Sequence, residues 1–231
     1  MKEKVKLAVA DGTRMAAYVV SPEGGGPHSG LLVFQEAFGV NHHIQSVCER
    51  FAAEGYVAIA PELFHRTAPP GFEVSYTDFP AVMPHMKAVT TETLELDIRA
   101  AYEWLTANTQ VKASEISSVG FCMGGRASFI ANSVVPLRAA VSFYGGGIAT
   151  GLLDRVAKLQ APSLFIWGGL DKHITAEHRR AVTEALSVQQ KIYVNVEFSR
   201  ADHGFFCDER AAYELHSARQ AWALTLEFLR P

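Results

Sequence analysis

The sequence predicts an α/β protein in three layers: a mostly parallel, twisted sheet, helices on both of its faces, and an antiparallel hairpin opening the chain at the N-terminus. Two patterns and one number carry this. From about Gly30 onward, short apolar runs rich in β-formers alternate with stretches whose apolar residues recur at helical spacing. Before that, two apolar runs flank Asp11-Gly12, a strong hairpin signal. The chain has 231 residues, 48% of them hydrophobic, which suits one domain over residues 1–231. Size scaling expects roughly 10,000 Å² of folded surface, against roughly 36,000 Å² for the unfolded chain.

The elements follow in order. Val5–Val9 and Met15–Val20 are the hairpin strands. Gly24-Gly25-Gly26-Pro27 turns the chain into Leu31–Phe34, a continuous apolar run of the kind a strand buried on both faces needs. Ile44, Val47, Phe51 and Ala52 mark a helix that Gly55 ends. Tyr56–Ala60 is a second buried strand, stopped by Pro61. Residues 61–84 carry five prolines among polar and aromatic residues and read as a long functional loop. Leu94, Ile98, Ala101, Tyr102 and Leu105 share one face of a helix starting near Thr90 or Thr91. Strand Ile116–Phe121, helix Met123–Val134 and strands Ala139–Phe143 and Pro162–Trp167 come next. Helix Ala176–Leu186, strand Lys191–Phe198 and a closing helix Tyr213–Leu229 complete the chain. Such sheets bind ligands at the carboxyl ends of their strands, so the residues just after each strand are the candidates.

Composition excludes several classes. With 21 basic and 24 acidic side chains, net charge −3, the chain has no basic footprint for nucleic acid and no polybasic membrane patch. No apolar run reaches the ~18 residues of a membrane span. The start, Met1 to Leu7, lacks the apolar stretch of a secretory signal. Three widely spaced cysteines, Cys48, Cys122 and Cys207, argue against a disulfide framework and for a reducing, cytoplasmic setting. Neither metal-ligand spacing nor a cofactor motif is present, so a small-molecule partner is expected, with no metal and no cofactor.

Chemistry concentrates at Gly120-Phe121-Cys122-Met123-Gly124-Gly125, between the strand 116–121 and the next helix. This is the G-x-S-x-G nucleophile elbow with Cys122 in the serine position. A sharp strand-to-helix turn exposes its central side chain, glycines on either side let the backbones pass closely, and the helix N-terminus favours a thiolate. Cys48 and Cys207 read as small buried hydrophobes. A phosphate-binding loop is excluded because Arg126-Ala127 stands where Lys-Ser/Thr is required. Gly145-Gly146-Gly147 is only a weak dinucleotide signal.

A thiol nucleophile needs a base and the base an orienting acid, in the chain order nucleophile, acid, histidine for an α/β-hydrolase. Of nine histidines, His203 is the one placed after the last strand and before the closing helix. The acid is Asp171, in the turn after the strand ending at Trp167, with Asp202 as the alternative. Glu36 ends a buried strand in Gln35-Glu36-Ala37-Phe38-Gly39, a costly place for a carboxylate unless it forms an arginine ion pair or accepts the thiol proton. The same turn supplies the second oxyanion-hole amide, assigned to Ala37, beside that of Met123.

The segments Gln35–Asn41, Arg66-Thr67-Ala68-Pro69, Gly120–Arg126 and His203-Gly204-Phe205 resemble the dienelactone hydrolases (carboxymethylenebutenolidases) of the α/β-hydrolase fold. The resemblance implies a Cys122–His203–Asp171 triad and a resting thiol held neutral near Glu36. It makes Arg66 the binder of a substrate carboxylate, with Phe38 also at the substrate. Substrate then displaces the glutamate, which takes the thiol proton, and the thiolate attacks a lactone carbonyl. The pattern departs at Cys207, where the best-known members carry a second binding arginine; Arg210 lies close by. Against this reading of a cysteine-dependent lactone or ester hydrolase stand a broader carboxylesterase or thioesterase of the same fold and a non-enzymatic binding protein.

Overall fold

The computed structural model describes residues 1–231. Its eight strands are β1 (Lys2–Ala8), β2 (Arg14–Val20), β3 (His28–Phe34), β4 (Tyr56–Pro61), β5 (Val111–Phe121), β6 (Ala140–Phe143), β7 (Ser163–Gly168) and β8 (Tyr193–Phe198). They form one sheet in the order β1-β2-β4-β3-β5-β6-β7-β8. β2 runs antiparallel to both β1 and β4, with Lys2 opposite Val20 and Ala8 opposite Arg14; every other pair is parallel. Leu31, Leu32, Val33 and Phe34 in β3, and all of β4 and β7, are buried, as helices on both faces require. The accessible surface is 10178 Å², close to the size-scaling expectation.

The helices are α1 (His42–Ala53), α2 (Phe79–Ala88), α3 (Thr91–Ala107), α4 (Met123–Val134), α5 (Ile148–Gly151), α6 (Ala176–Val188) and α7 (Leu215–Leu229). Several of the long helices start where a side chain accepts their free amides. Asn41 caps α1 and Thr175 caps α6, while at α3 the Thr90 and Thr93 side chains cap each other's backbone. Gly55, at φ +92°, lets the chain turn from α1 into β4. None of these helices is long and apolar enough to cross a membrane.

Three differences from the sequence reading have local causes. The Pro61–Pro84 segment is not loop throughout, because Asp78 caps α2 and Pro80 sits in its first turn, where a missing N–H is harmless. β5 starts at Val111 rather than Ile116: its first residues include Lys112, Ala113 and Ser114, which stay exposed, so no apolar run announces them. Between β6 and β7 lie α5 and a 3-10 helix (Leu153–Lys158), both too short to show a period.

The segment after β4 is tied down by one buried carboxylate. Asp97, on α3, accepts from Arg66 Nη1 and Nη2 at 2.9 Å each and lies 3.0 Å from His65 Nε2. Removing one partner of such a buried group strands the other. Asp97→Ala is therefore expected to lower stability by about 3–5 kcal/mol, read as the midpoint of urea unfolding. An unchanged midpoint would refute this anchoring role.

Candidate active site

The backbone at Cys122 is held at φ 56°, ψ −117°, a positive-φ conformation that side chains rarely adopt. The close packing around it explains why. A Cβ on Gly120 would lie 1.9 Å from the Gly124 carbonyl oxygen, and one on Gly124 only 2.2 Å from that of Phe34. One on Gly125 would lie 2.5 Å from the Phe143 oxygen. The start of α4 is thus wedged between the ends of β3 and β6, and only glycines fit. The wedge leaves the Cys122 side chain partly exposed at the carboxyl edge of the sheet. The other two thiols are fully buried; burial pushes Cys207 up to about 12 and Cys48 higher still.

β7 and β8 are neighbours, so the turns after them meet. The Leu170 amide donates to the Ala201 carbonyl at 2.9 Å, and a Cβ on Gly168 would lie 2.7 Å from the same oxygen. His203 Nδ1 lies 2.7 Å from Asp171 Oδ2, while Asp171 Oδ1 accepts from the amides of His173 (2.7 Å) and Ile174 (3.0 Å). Burial works against the charge on Asp171, but these hydrogen bonds outweigh it and hold the carboxyl below its ordinary value. Burial likewise opposes a charge on His203. Its bond to Asp171 and the adjacent Cys122 sulfur prevail and raise it to about 10. Asp202, the alternative acid, accepts instead from the amide of His203 at 2.7 Å and so shapes the turn.

Glu36 is 1% exposed. Its Oε1 accepts from Arg210 Nη1 at 3.1 Å and its Oε2 has no hydrogen-bond partner. The arginine ion pair, one of the two roles open to it, is formed. Gly204, at φ +81°, makes room for this guanidinium, since a Cβ there would lie 2.1 Å from Arg210 Nη1. The amides of Ala37 and Met123 donate to no backbone carbonyl and remain free for an oxyanion.

Two expectations about substrate binding need correction. Arg66 is not free for a carboxylate: beyond its two bonds to Asp97, its Nε donates to Asp11 Oδ2 at 2.8 Å, so two acids already neutralise it. Phe38 is 1% exposed and presents no open face. Its ring packs edge-on against Tyr76 and Phe79, with the Arg210 guanidinium 5.5 Å from its centroid. Arg210 reaches Glu36 instead, by folding back from the turn before α7.

Two further residues escaped the sequence reading. Tyr144, just after β6, has φ 36° and a buried hydroxyl with no partner, and its ring centroid lies 5.0 Å from that of His203. A strained residue at a strand end is the signal that would have found it, and strain is invisible in sequence. Arg126, on α4, is half-buried with no acceptor. Donor atoms of His43, Cys207 and Asp208 lie within 4.8 Å of one another and are the residues placed to hold a metal ion, although Cys207 Sγ donates to the Tyr76 hydroxyl at 3.3 Å and Asp208 is exposed.

The model of the dienelactone hydrolase family matches residues 15–231. A protein of Synechocystis sp. (strain ATCC 27184 / PCC 6803 / Kazusa) named "Putative carboxymethylenebutenolidase" is 35% identical over 218 residues, covering 90% of this chain and 88% of its own. One of the same name from Escherichia coli (strain K12) is 32% identical over 231 residues, covering 96% and 84%. The crystal structure of a "Putative Dienelactone Hydrolase" from Klebsiella pneumoniae subsp. pneumoniae MGH 78578 superposes with a TM-score of 0.89 at 31% identity, over 99% of this chain and 98% of that one.

The raised pKa of His203 makes a stability prediction with a definite sign. The folded state binds this proton more tightly than the unfolded one, so the stabilisation is complete below about 6.5 and is lost as pH rises through about 10. The wild type should therefore lose stability between pH 7 and 10 relative to His203→Gln, by unfolding midpoints in parallel. Equal slopes for the two proteins would show that no such proton is held.

Proposed function

Because the chain belongs to the dienelactone hydrolase family, we propose that it opens a small lactone or ester through a covalent thioester on Cys122. The family supplies the coarse activity, hydrolysis of an ester or lactone bond. One observation carries the finer reading: His203, 2.7 Å from Asp171, has its pKa raised also by the sulfur of Cys122, which is held in an elbow conformation.

In this reading the proton of the Cys122–His203 pair rests on the imidazole, as its raised pKa favours, so that the sulfur attacks as a thiolate beside an imidazolium. Asp171 fixes the ring and balances its charge. The Cys122 sulfur forms a bond to the carbonyl carbon, and the resulting oxyanion takes the free amides of Ala37 and Met123. The carbon–oxygen bond then breaks, and His203 returns its proton to the departing oxygen. Water, deprotonated by the same imidazole, attacks the thioester to give the acid and the free thiol. Glu36 assists thiol activation: its unpartnered Oε2 has room for a proton, and Arg210 balances its charge when it has none.

A broader carboxylesterase or thioesterase is the second reading, favoured by the engagement of Arg66 with Asp97 and Asp11. Relative kcat/KM values for a dienelactone and for simple nitrophenyl esters and thioesters separate the two.

Cys122→Ala should lower kcat by a factor on the order of 10⁴ or more, and Asp171→Asn by about 10³–10⁴, with far-ultraviolet circular dichroism unchanged. Mass spectrometry of a quenched reaction should find an acyl group on Cys122. Near-wild-type turnover by Cys122→Ala would sink the cysteine mechanism.

A further inference from the structure

We propose that Arg126 is a specificity residue that receives a free carboxylate carried by the acyl part of the substrate; this rests on the Cys122 reading above.

Six arginines of this protein are not exposed at their surface: Arg66, Arg126, Arg138, Arg155, Arg179 and Arg210. Five hold an acceptor: Asp97, the Leu229 carbonyl, Glu95, Glu197 and Glu36, respectively, for all but Arg126. Arg126 makes no side-chain hydrogen bond or ion pair, and its buried Nε is without a partner. Burial disfavours its charge, and the one group favouring it is Cys122. A half-buried guanidinium in this state is unfavourable unless something anionic arrives.

Its place says what arrives. Arg126 sits one helical turn beyond the nucleophile, its amide donating to the Cys122 carbonyl at 3.3 Å. The side chain extends along the loop after β6: a Cβ on Gly147 would lie 3.4 Å from Arg126 Cδ and 3.5 Å from Nη1. Gly147 also lines a cavity of about 140 Å³ with His173 and Thr150. The His173 ring centroid is 5.5 Å from that of His203. The Arg126 side chain thus lies along the glycine loop, His203 packs against Tyr144 just before that loop and against His173 across the cavity, and Gly146 leaves open space above the loop. A guanidinium matches a carboxylate through paired N–H donors, the strongest neutral-pH recognition an unpartnered arginine offers. Since Arg66 and Arg210 are already neutralised by acids, Arg126 is the cation at the site with charge to spare.

The test compares half-esters with their uncharged analogues. 4-Nitrophenyl hydrogen succinate, glutarate and adipate are each paired with the alkanoate in which a methyl replaces the carboxylate. The wild type should prefer at least one charged member over its partner in kcat/KM by about 10- to 100-fold, mainly through KM. Arg126→Gln should bring that ratio to within about threefold of unity, while Arg126→Lys, which keeps the charge but loses the fork, should fall between. If Arg126→Gln does not fold, Arg126→Lys and competitive inhibition of the wild type by free glutarate, at matched ionic strength, give the same reading. A wild type without charge preference in the series, or a ratio untouched by substitution of Arg126, overturns the assignment. Failure of the cysteine mechanism is separate: it shows as hydrolysis of the neutral esters by Cys122→Ala.

Discussion

The site depends on one steric constraint, the close passage of α4 beneath the ends of β3 and β6. Three glycines, Gly120, Gly124 and Gly125, permit it, and the positive φ at Cys122 is its result. That passage lifts the thiol to the sheet edge. It also sets the start of α4 against the turn after β3, and the amides of Met123 and Ala37 donate to no backbone carbonyl. One turn further, it carries Arg126 over the loop after β6. The Cys122 thiol, the free amide of Met123 and the Arg126 side chain are thus placed by a single packing event, and a methyl group at Gly124 would disturb all of them.

Electrostatics then sort the polar residues around the wedge. Arg66 is neutralised by Asp97 and Asp11 and works as an anchor for the segment after β4. Arg210 is matched to Glu36, and Asp171 to His203. In each case a buried carboxylate is compensated by a specific cation, as low-dielectric surroundings demand. Among the buried polar atoms without a hydrogen-bond partner are the Glu36 second oxygen, the Tyr144 hydroxyl and the Arg126 Nε. Residual polar capacity of this kind is tolerated where a ligand or a proton completes it.

The three cysteines show how environment divides one residue type. Burial keeps Cys48 in the core beneath α1 and Cys207 under Tyr76, where both thiols stay protonated. Cys122 alone stands partly exposed at a helix N-terminus against a histidine. Of the three sulfurs, one is therefore within reach of solvent.

The order of strands and helices, the hairpin at Asp11-Gly12, the elbow and the positions of Asp171 and His203 were legible in the sequence. Each depends on local signals: apolar periods, glycines at fixed offsets, and chain order relative to strands. α5 was not, because a single turn of helix has no period to detect, and α2 was not, because Val82 is its one buried residue and leaves no apolar face to read. The partnership of charges escaped for a different reason. Whether Arg66 or Arg210 faces Glu36, whether Asp171 or Asp202 reaches His203, and whether Arg126 finds any acid at all depend on which loops the sheet order β1-β2-β4-β3-β5-β6-β7-β8 brings together. Asp202 sits beside His203 in the chain yet bonds its amide, while Asp171 reaches the ring because β7 and β8 pair side by side. The fold and the elbow at Cys122 could be read from the chain alone, since both rest on backbone conformation and spacing along it; which charge meets which had to await the folded arrangement, since ion pairing is a matter of distance in space.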